Sequence, residues 1–197
     1  MEPNQKSAIE AFEERISYCF KSKVLLLTAL THRSYAKQIK NQHIEDNERL
    51  EFFGDAIMKF LVSEYLFDQN PDYSEGDLSK LRAKIVSDKN FAQFAIELEL
   101  SKVLRVSEGE RKLMGHEKLS ILSCAFEAVI AAIYLDGGID EVKTLVQRLL
   151  EELSLESLEH DLLESKSFHQ DDLSYNTILF HHEFHLEKQD FFLIFLF

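Results

Sequence analysis

Chain breakers are scarce and unevenly placed: the 197 residues include six Gly and two Pro, and no Gly occurs after Gly138. A sandwich or barrel consumes such residues at its many turns, so this chain is expected to be all-α, with helices joined by few breaks. Its length allows one good-sized domain and an appendage, on a prior of roughly 150 residues per domain. The two cysteines, Cys19 and Cys124, stand far apart without a CxxC partner. That argues against a disulfide framework or thiolate zinc cage and for a reducing compartment. The N-terminus lacks the charged-then-apolar layout of a secretion signal, and the apolar run Phe191 to Phe197 is far short of the ~20 residues that span a bilayer. A cytoplasmic protein with no membrane partner is expected.

Apolar residues at Ile9, Phe12, Ile16 and Phe20 recur every three or four positions and predict a helix over 5–20. A second helix is expected over 23–30, ending in the polar stretch Thr31, His32, Arg33 and Ser34. The longest pattern runs from about Ile44 to Phe67 and stops at Asn70-Pro71. Ser74, Glu75, Gly76 and Asp77 read as a capped, acid-rich helix start, and Asp88 as the cap of the next helix, through Leu100. Residues 101–117 are mixed, with Gly109 and Gly115 marking a loop. An apolar helix follows over 118–136, ended by Gly137-Gly138, and a last one over 140–153.

The domain is therefore expected to span 5–153, with an acidic, His- and Phe-rich tail of uncertain structure over 154–197. Formal charge divides close to that boundary: the total of −13 splits into −4 for residues 1–150 and −9 for residues 151–197. The charge that would repel a polyanion thus belongs mainly to the tail, and RNA stays open as a partner of the domain. Within the tail, His181, His182 and His185 do not follow HExxH spacing and have no identifiable fourth ligand, so no zinc site is expected there. No Ser/His/Asp arrangement, Gly-rich phosphate loop or dinucleotide fingerprint occurs.

The informative residues are Glu48, Glu51 and Asp55. At about 100° per residue they fall within a wedge of about 60° on one helix. A solvated acidic stripe is the ordinary explanation for such a wedge. Two features favour a cation site instead. Leu50, Phe52, Phe53, Ile57 and Phe60 occupy much of the remaining circumference, which predicts a largely buried helix with the acids in a slot. Gly54, which costs ~1 kcal/mol mid-helix relative to Ala, predicts another backbone passing close beside Asp55.

The segment NERLEFFGDAIMKFLVSEYLF resembles the signature of the ribonuclease III endonuclease domain. LTHRSY at 30–35, EGDLSKLRAKIVS at 75–87 and SILSCAFEAVIAAIYLDGG at 120–138 resemble the family's other blocks, in order, so the similarity covers about residues 8–150. The resemblance implies an all-helical domain that forms a homodimer and cuts double-stranded RNA during RNA processing, leaving 5′-phosphate and 3′-hydroxyl ends. It further implies Mg²⁺ as cofactor, with Mn²⁺ as a possible substitute. Glu51, Asp55 and Glu127 match the family's metal ligands, with Asp55 and Glu127 central to catalysis, and Glu48 and Glu75 match further acids of the catalytic valley. Phe52 and Phe53 match the aromatic region at the dimer interface. Arg33, Lys80, Arg82 and Lys84 are candidate contacts to RNA phosphates, although scattered cations on a solvated face are the simpler account of each.

Two departures qualify what the resemblance implies. Where the family pattern has an aspartate one turn before Glu127, this chain has Cys124. A thiol is a soft donor that cannot simply replace a carboxylate toward Mg²⁺, which leaves weaker metal affinity, slower cleavage, or none. The tail, moreover, does not resemble the basic double-stranded-RNA-binding domain that usually follows in bacterial members. The first rival function is therefore a catalytically silent double-stranded-RNA-binding or dimerisation protein of the same fold. A di-iron helical bundle is the second; no Glu-x-x-His pair occurs in the chain, which counts against it.

Overall fold

Helix α8, Leu119–Gly137, is apolar around its whole circumference, and a helix of that kind must be enclosed by other elements. The computed structural model, which describes residues 3–39 and 44–153, places it accordingly. Residues Ala128 to Ile133 are without solvent exposure, and α8 packs chiefly against α4 (Glu48–Gln69) and α6 (Asp88–Glu97). Length and apolarity alone would let α8 cross a membrane, but two-thirds of the qualifying window is buried within the domain. It is a core helix.

The other described helices are α1 (Pro3–Ile16), α2 (Lys23–Ala29), α3 (Arg33–Gln38), α5 (Glu75–Ile85), α7 (Glu108–Lys112) and α9 (Ile139–Glu152). Short 3₁₀ turns lie at Leu100–Lys102 and Gly115–Glu117, and the only extended pairing among the described residues is a single parallel bridge between Thr31 and Arg105. The all-α expectation holds. Serine caps set four of the helix starts: Ser22, Ser74, Ser87 and Ser107 each accept a hydrogen bond from a backbone N–H three residues on.

Several local expectations need correction. His32 is a hydrogen-bonding group at a helix end, but at a start rather than a stop: its Nδ1 accepts from the Ser34 N–H and caps α3. Ser87, one residue before Asp88, is the cap of α6. Residues 101–117 contain α7 and two 3₁₀ segments. The helix carrying the acidic wedge is less enclosed than its composition predicts, since Phe52 is 80% and Phe60 55% exposed. The buried face of α4 runs instead through Gly54, Ile57, Met58, Leu61, Val62 and Leu66.

Core packing fixes α8 from both sides. The Phe126 ring lies between Phe91 and Phe94 of α6, with centroids 5.4 and 5.5 Å away, in tilted contacts that add to simple area burial. At its C-terminus Gly138, with φ of 94°, turns the chain directly into α9. Val142, Leu145, Val146, Leu149 and Leu150 then form the buried stripe of α9. With both neighbours seated, the rotation of α8 is set, and Glu127 is carried to the α4 side.

Candidate metal centre

Helices α4 and α8 meet at Gly54. A Cβ at this position would overlap the backbone carbonyl of Glu127, so the close approach predicted beside Asp55 is present and its partner is the Glu127 backbone. Removal of one methyl group lets two helix backbones touch, and the acids flanking the contact are brought together. Glu51 lies one turn before Gly54 on α4, and Glu127 sits at the contact on α8.

One carboxylate oxygen each from Glu51 and Glu127 and the Sγ of Cys124 lie within 4.8 Å of one another. Cys124 precedes Glu127 by three residues, so both face the same side of α8. Glu127 is only 8% exposed, and no described residue donates a hydrogen bond to its carboxylate. Burial, reinforced by the negative charges of Asp55, Glu51 and Asp88, pushes its pKa up to about 8. Burial also raises the Cys124 thiol to about 12, together with a hydrogen bond to Glu51 and the surrounding acids. At neutral pH the sulfur carries its proton and donates it toward Glu51.

The remaining predicted acids lie apart from this group. Asp55 Oδ2 accepts an ion pair from Lys59 Nζ at 2.7 Å, one turn along α4. It stands outside the three-residue cluster, although its charge acts on Glu127. Glu48 is held by Arg33 at 3.2 Å, which gives that arginine a carboxylate partner. Glu75, at the start of α5, accepts from Ser79 Oγ at 2.8 Å. Of the other candidate phosphate contacts, Arg82 donates to Ser63 Oγ at 3.1 Å and Lys80 is exposed. Lys84 is half-buried on α5. Phe53 is half-buried, edge-on to Tyr134 with centroids 5.4 Å apart. Phe52 joins exposed Val24 and Leu135 around an open depression of about 1120 Å³. His181, His182 and His185 lie outside the described residues.

Sequence reasoning missed two participants. Asp88, read as a cap, accepts a hydrogen bond from Ser123 Oγ at 3.1 Å and adds negative potential at both Cys124 and Glu127. Ser87 was the available signal, because a serine immediately before an aspartate competes for the capping position. Lys59, unremarked in the sequence, pairs with Asp55 at the i,i+4 spacing that permits such a contact.

The two carboxylates of this group fit a hard divalent cation. Mg²⁺ is commonly held by one or two carboxylates, with water and substrate phosphate completing its shell. A buried carboxylate without a protein donor, facing a second carboxylate, is the arrangement that such an ion stabilises.

Comparison with known proteins identifies the family. The family described as Ribonuclease-III-like matches residues 22–153. The chain belongs to the ribonuclease III family. Curated relatives named Ribonuclease 3 include one from Nitratiruptor sp., 45% identical over 78% of this chain and 67% of its own length. One from Oceanobacillus iheyensis is 46% identical over 68% of this chain and 59% of its own length. The chain thus spans only about three-fifths to two-thirds of these ribonuclease III relatives. Among solved structures, the nuclease domain of Campylobacter jejuni ribonuclease III, described for flexibility in a region involved in dimer formation, matches with a TM-score of 0.67. Identity there is 46%, over 73% of this chain and 96% of that one. Dicer from Pichia stipitis matches at a TM-score of 0.55 and 26% identity, over 74% of this chain and 61% of that one.

Proposed function

We propose that this chain is a metal-dependent endoribonuclease that hydrolyses double-stranded RNA in RNA processing. The observation that carries it is the buried, hydrogen-bond-free carboxylate of Glu127 facing Glu51 across the Gly54 contact. Glu51 and Glu127 hold Mg²⁺, or Mn²⁺ in its place, with Asp55 adding negative charge beside them. Bound there, the ion supplies Lewis acidity for water activation and offsets charge on the scissile phosphate.

The protein's own groups orient and tune this site. The Cys124 thiol donates to Glu51 and orients its carboxylate, which would hold the ion together with Glu127. Lys59 holds Asp55, and Arg33 holds Glu48, which keeps the rim acids from crowding the phosphate. Exposed Lys80, with Arg33, Arg82 and Lys84, supplies cations for backbone phosphates. Hydrolysis leaves a 5′ phosphate and a 3′ hydroxyl.

The nuclease unit extends over 5–153, and residues 154–197 are an appendage without an assigned role. A second copy docks around Phe52, Phe53 and the depression beside them, because a solvent-exposed aromatic rimmed by apolar side chains suits an isologous contact. A homodimer places two such sites on one duplex, one for each strand. A cytoplasmic setting follows from the substrate and the free thiols.

The second function, a silenced protein that binds duplex RNA or dimerises without cutting, is favoured by the sulfur at position 124. Labelled duplex RNA incubated with purified protein and Mg²⁺ or Mn²⁺ separates the two. Cleavage by the native chain but not by Glu127→Gln is expected. Cleavage by Cys124→Asp alone would make the natural chain a silent member of the family.

A further inference from the structure

The nuclease proposal gives the sulfur of Cys124 only a hydrogen-bonding role, yet its position is that of a ligand. We propose that Glu51, Cys124 and Glu127 form a site for a thiophilic divalent ion of the zinc class, which binds through the sulfur and one oxygen from each carboxylate and competes there with Mg²⁺. This rests on the proposal that the two carboxylates face a cation, and it adds which ions the site prefers.

Three observations carry it. The three donor atoms already lie within 4.8 Å of one another, whereas ligands around a tetrahedral zinc, with bonds of roughly 2.0–2.3 Å, sit roughly 3.3–3.8 Å apart. Small side-chain rotations close that difference. Glu127, buried and accepting no hydrogen bond, is aimed into the same space as the sulfur. Glu51 and Cys124 are half-buried rather than enclosed, so a fourth position stays open to water, as in three-ligand zinc sites.

Sulfur decides the selectivity. Thiolate bonds favour zinc, cadmium and similar ions and contribute little toward Mg²⁺, for which this cluster offers two ligands instead of three. On binding, the S–H bond is replaced by a sulfur–metal bond and the proton leaves to solvent; no electron is transferred. The hydrogen bond from Cys124 to Glu51 is given up, and both groups turn to the ion. Cys19, the other cysteine, is exposed and lies 3.9 Å from the Lys23 ammonium. Among the described residues no cluster of further metal-ligating side chains includes it, so it is a poor competitor for metal.

The test uses the full chain without RNA, titrated with Cd²⁺ while the ultraviolet sulfur-to-cadmium charge-transfer band is followed. The band reads sulfur ligation only, so histidines and carboxylates elsewhere do not contribute. One equivalent is expected to saturate it in the native chain and in Cys19→Ser. Cys124→Ser, nearly isosteric and checked for folding by circular dichroism, is expected to lose it, and Glu127→Gln to weaken binding by about tenfold or more. A roughly hundredfold excess of Mg²⁺ is expected not to displace the ion. No band in the native chain, or a band that survives Cys124→Ser and vanishes in Cys19→Ser, overturns the site. Duplex-RNA cleavage in Mg²⁺ alone is scored separately: cleavage without the band leaves the nuclease proposal standing and removes this one, and the band without cleavage does the reverse.

Discussion

The cluster at the α4–α8 contact, taken as a floor, and the predicted acids outside it, taken as a rim, contain the same kinds of residue in opposite electrostatic states. On the rim, each carboxylate is matched by its own partner: Glu48 by Arg33, Asp55 by Lys59 and Glu75 by Ser79. On the floor, Glu127 is buried with no donor, beside a second carboxylate and a protonated thiol and within the field of Asp55. The rim is self-sufficient in water and contributes little, as exposed pairs generally do. The floor is unfavourable as it stands and becomes favourable only when a cation arrives. Function is therefore expected to be concentrated on the floor.

The sharpest way to break this contrast is to neutralise one acid from each zone. Glu127→Gln is expected to lower duplex-RNA cleavage by about a thousandfold or more, because it removes a proposed ligand rather than an outer-shell partner, whose loss typically costs 10–100-fold. Glu48→Gln and Glu75→Gln should stay within a few-fold in the same assay. Equal losses in all three would erase the distinction.

Protonation gives the next largest effect. Glu127 keeps its proton in the folded domain up to about pH 8 but releases it near 4.5 when unfolded. Its contribution to stability is therefore fully present below 4.5 and is lost as pH rises through 8. Between these limits the metal-free domain should lose on the order of 5 kcal/mol from this group. Urea melts of the native chain and of Glu127→Gln across that range, with EDTA present, should diverge by that amount. Mg²⁺ should restore the loss for the native chain only.

Converting the sulfur to a third floor carboxylate sharpens the comparison from the other side. Cys124→Asp is expected to tighten Mg²⁺ binding by about tenfold in calorimetric titration, and to make the metal-free domain less stable at neutral pH. The smallest effect belongs to the rim cation: Lys59→Met should shift stability by about 0.5 kcal/mol or less and tighten the divalent ion roughly twofold.

Much of this was legible in the chain because it depends on local patterns. Helix α1 follows from Ile9, Phe12 and Ile16, and α4 stops where Asn70-Pro71 must stop it. The contact at Gly54 was legible because a mid-helix glycine needs a reason. What escaped depends on three-dimensional neighbours. Phe52 and Phe60 were expected to be buried on residue type, but apolar type permits exposure, and the rotation of α4 is set by Gly54 and Met58 against α8. Asp88 entered the site through the packing of α6 on α8, a pairing no spacing in the sequence reveals. Asp55 was grouped with Glu51 by azimuth and by the family resemblance. Azimuth does not show that Lys59, one turn further on, competes for its carboxylate.

The missing methyl at Gly54 ties catalytic tuning to architecture. Replacing a mid-helix glycine by alanine ordinarily strengthens a helix by ~1 kcal/mol, so a design campaign scoring helical propensity would choose this position early. Here the added carbon would wedge α4 from α8 and pull Glu51 from Glu127. Thermal hardening and ion capture thus share a single spacer, and laboratory evolution toward either would be steered by the width of that seam.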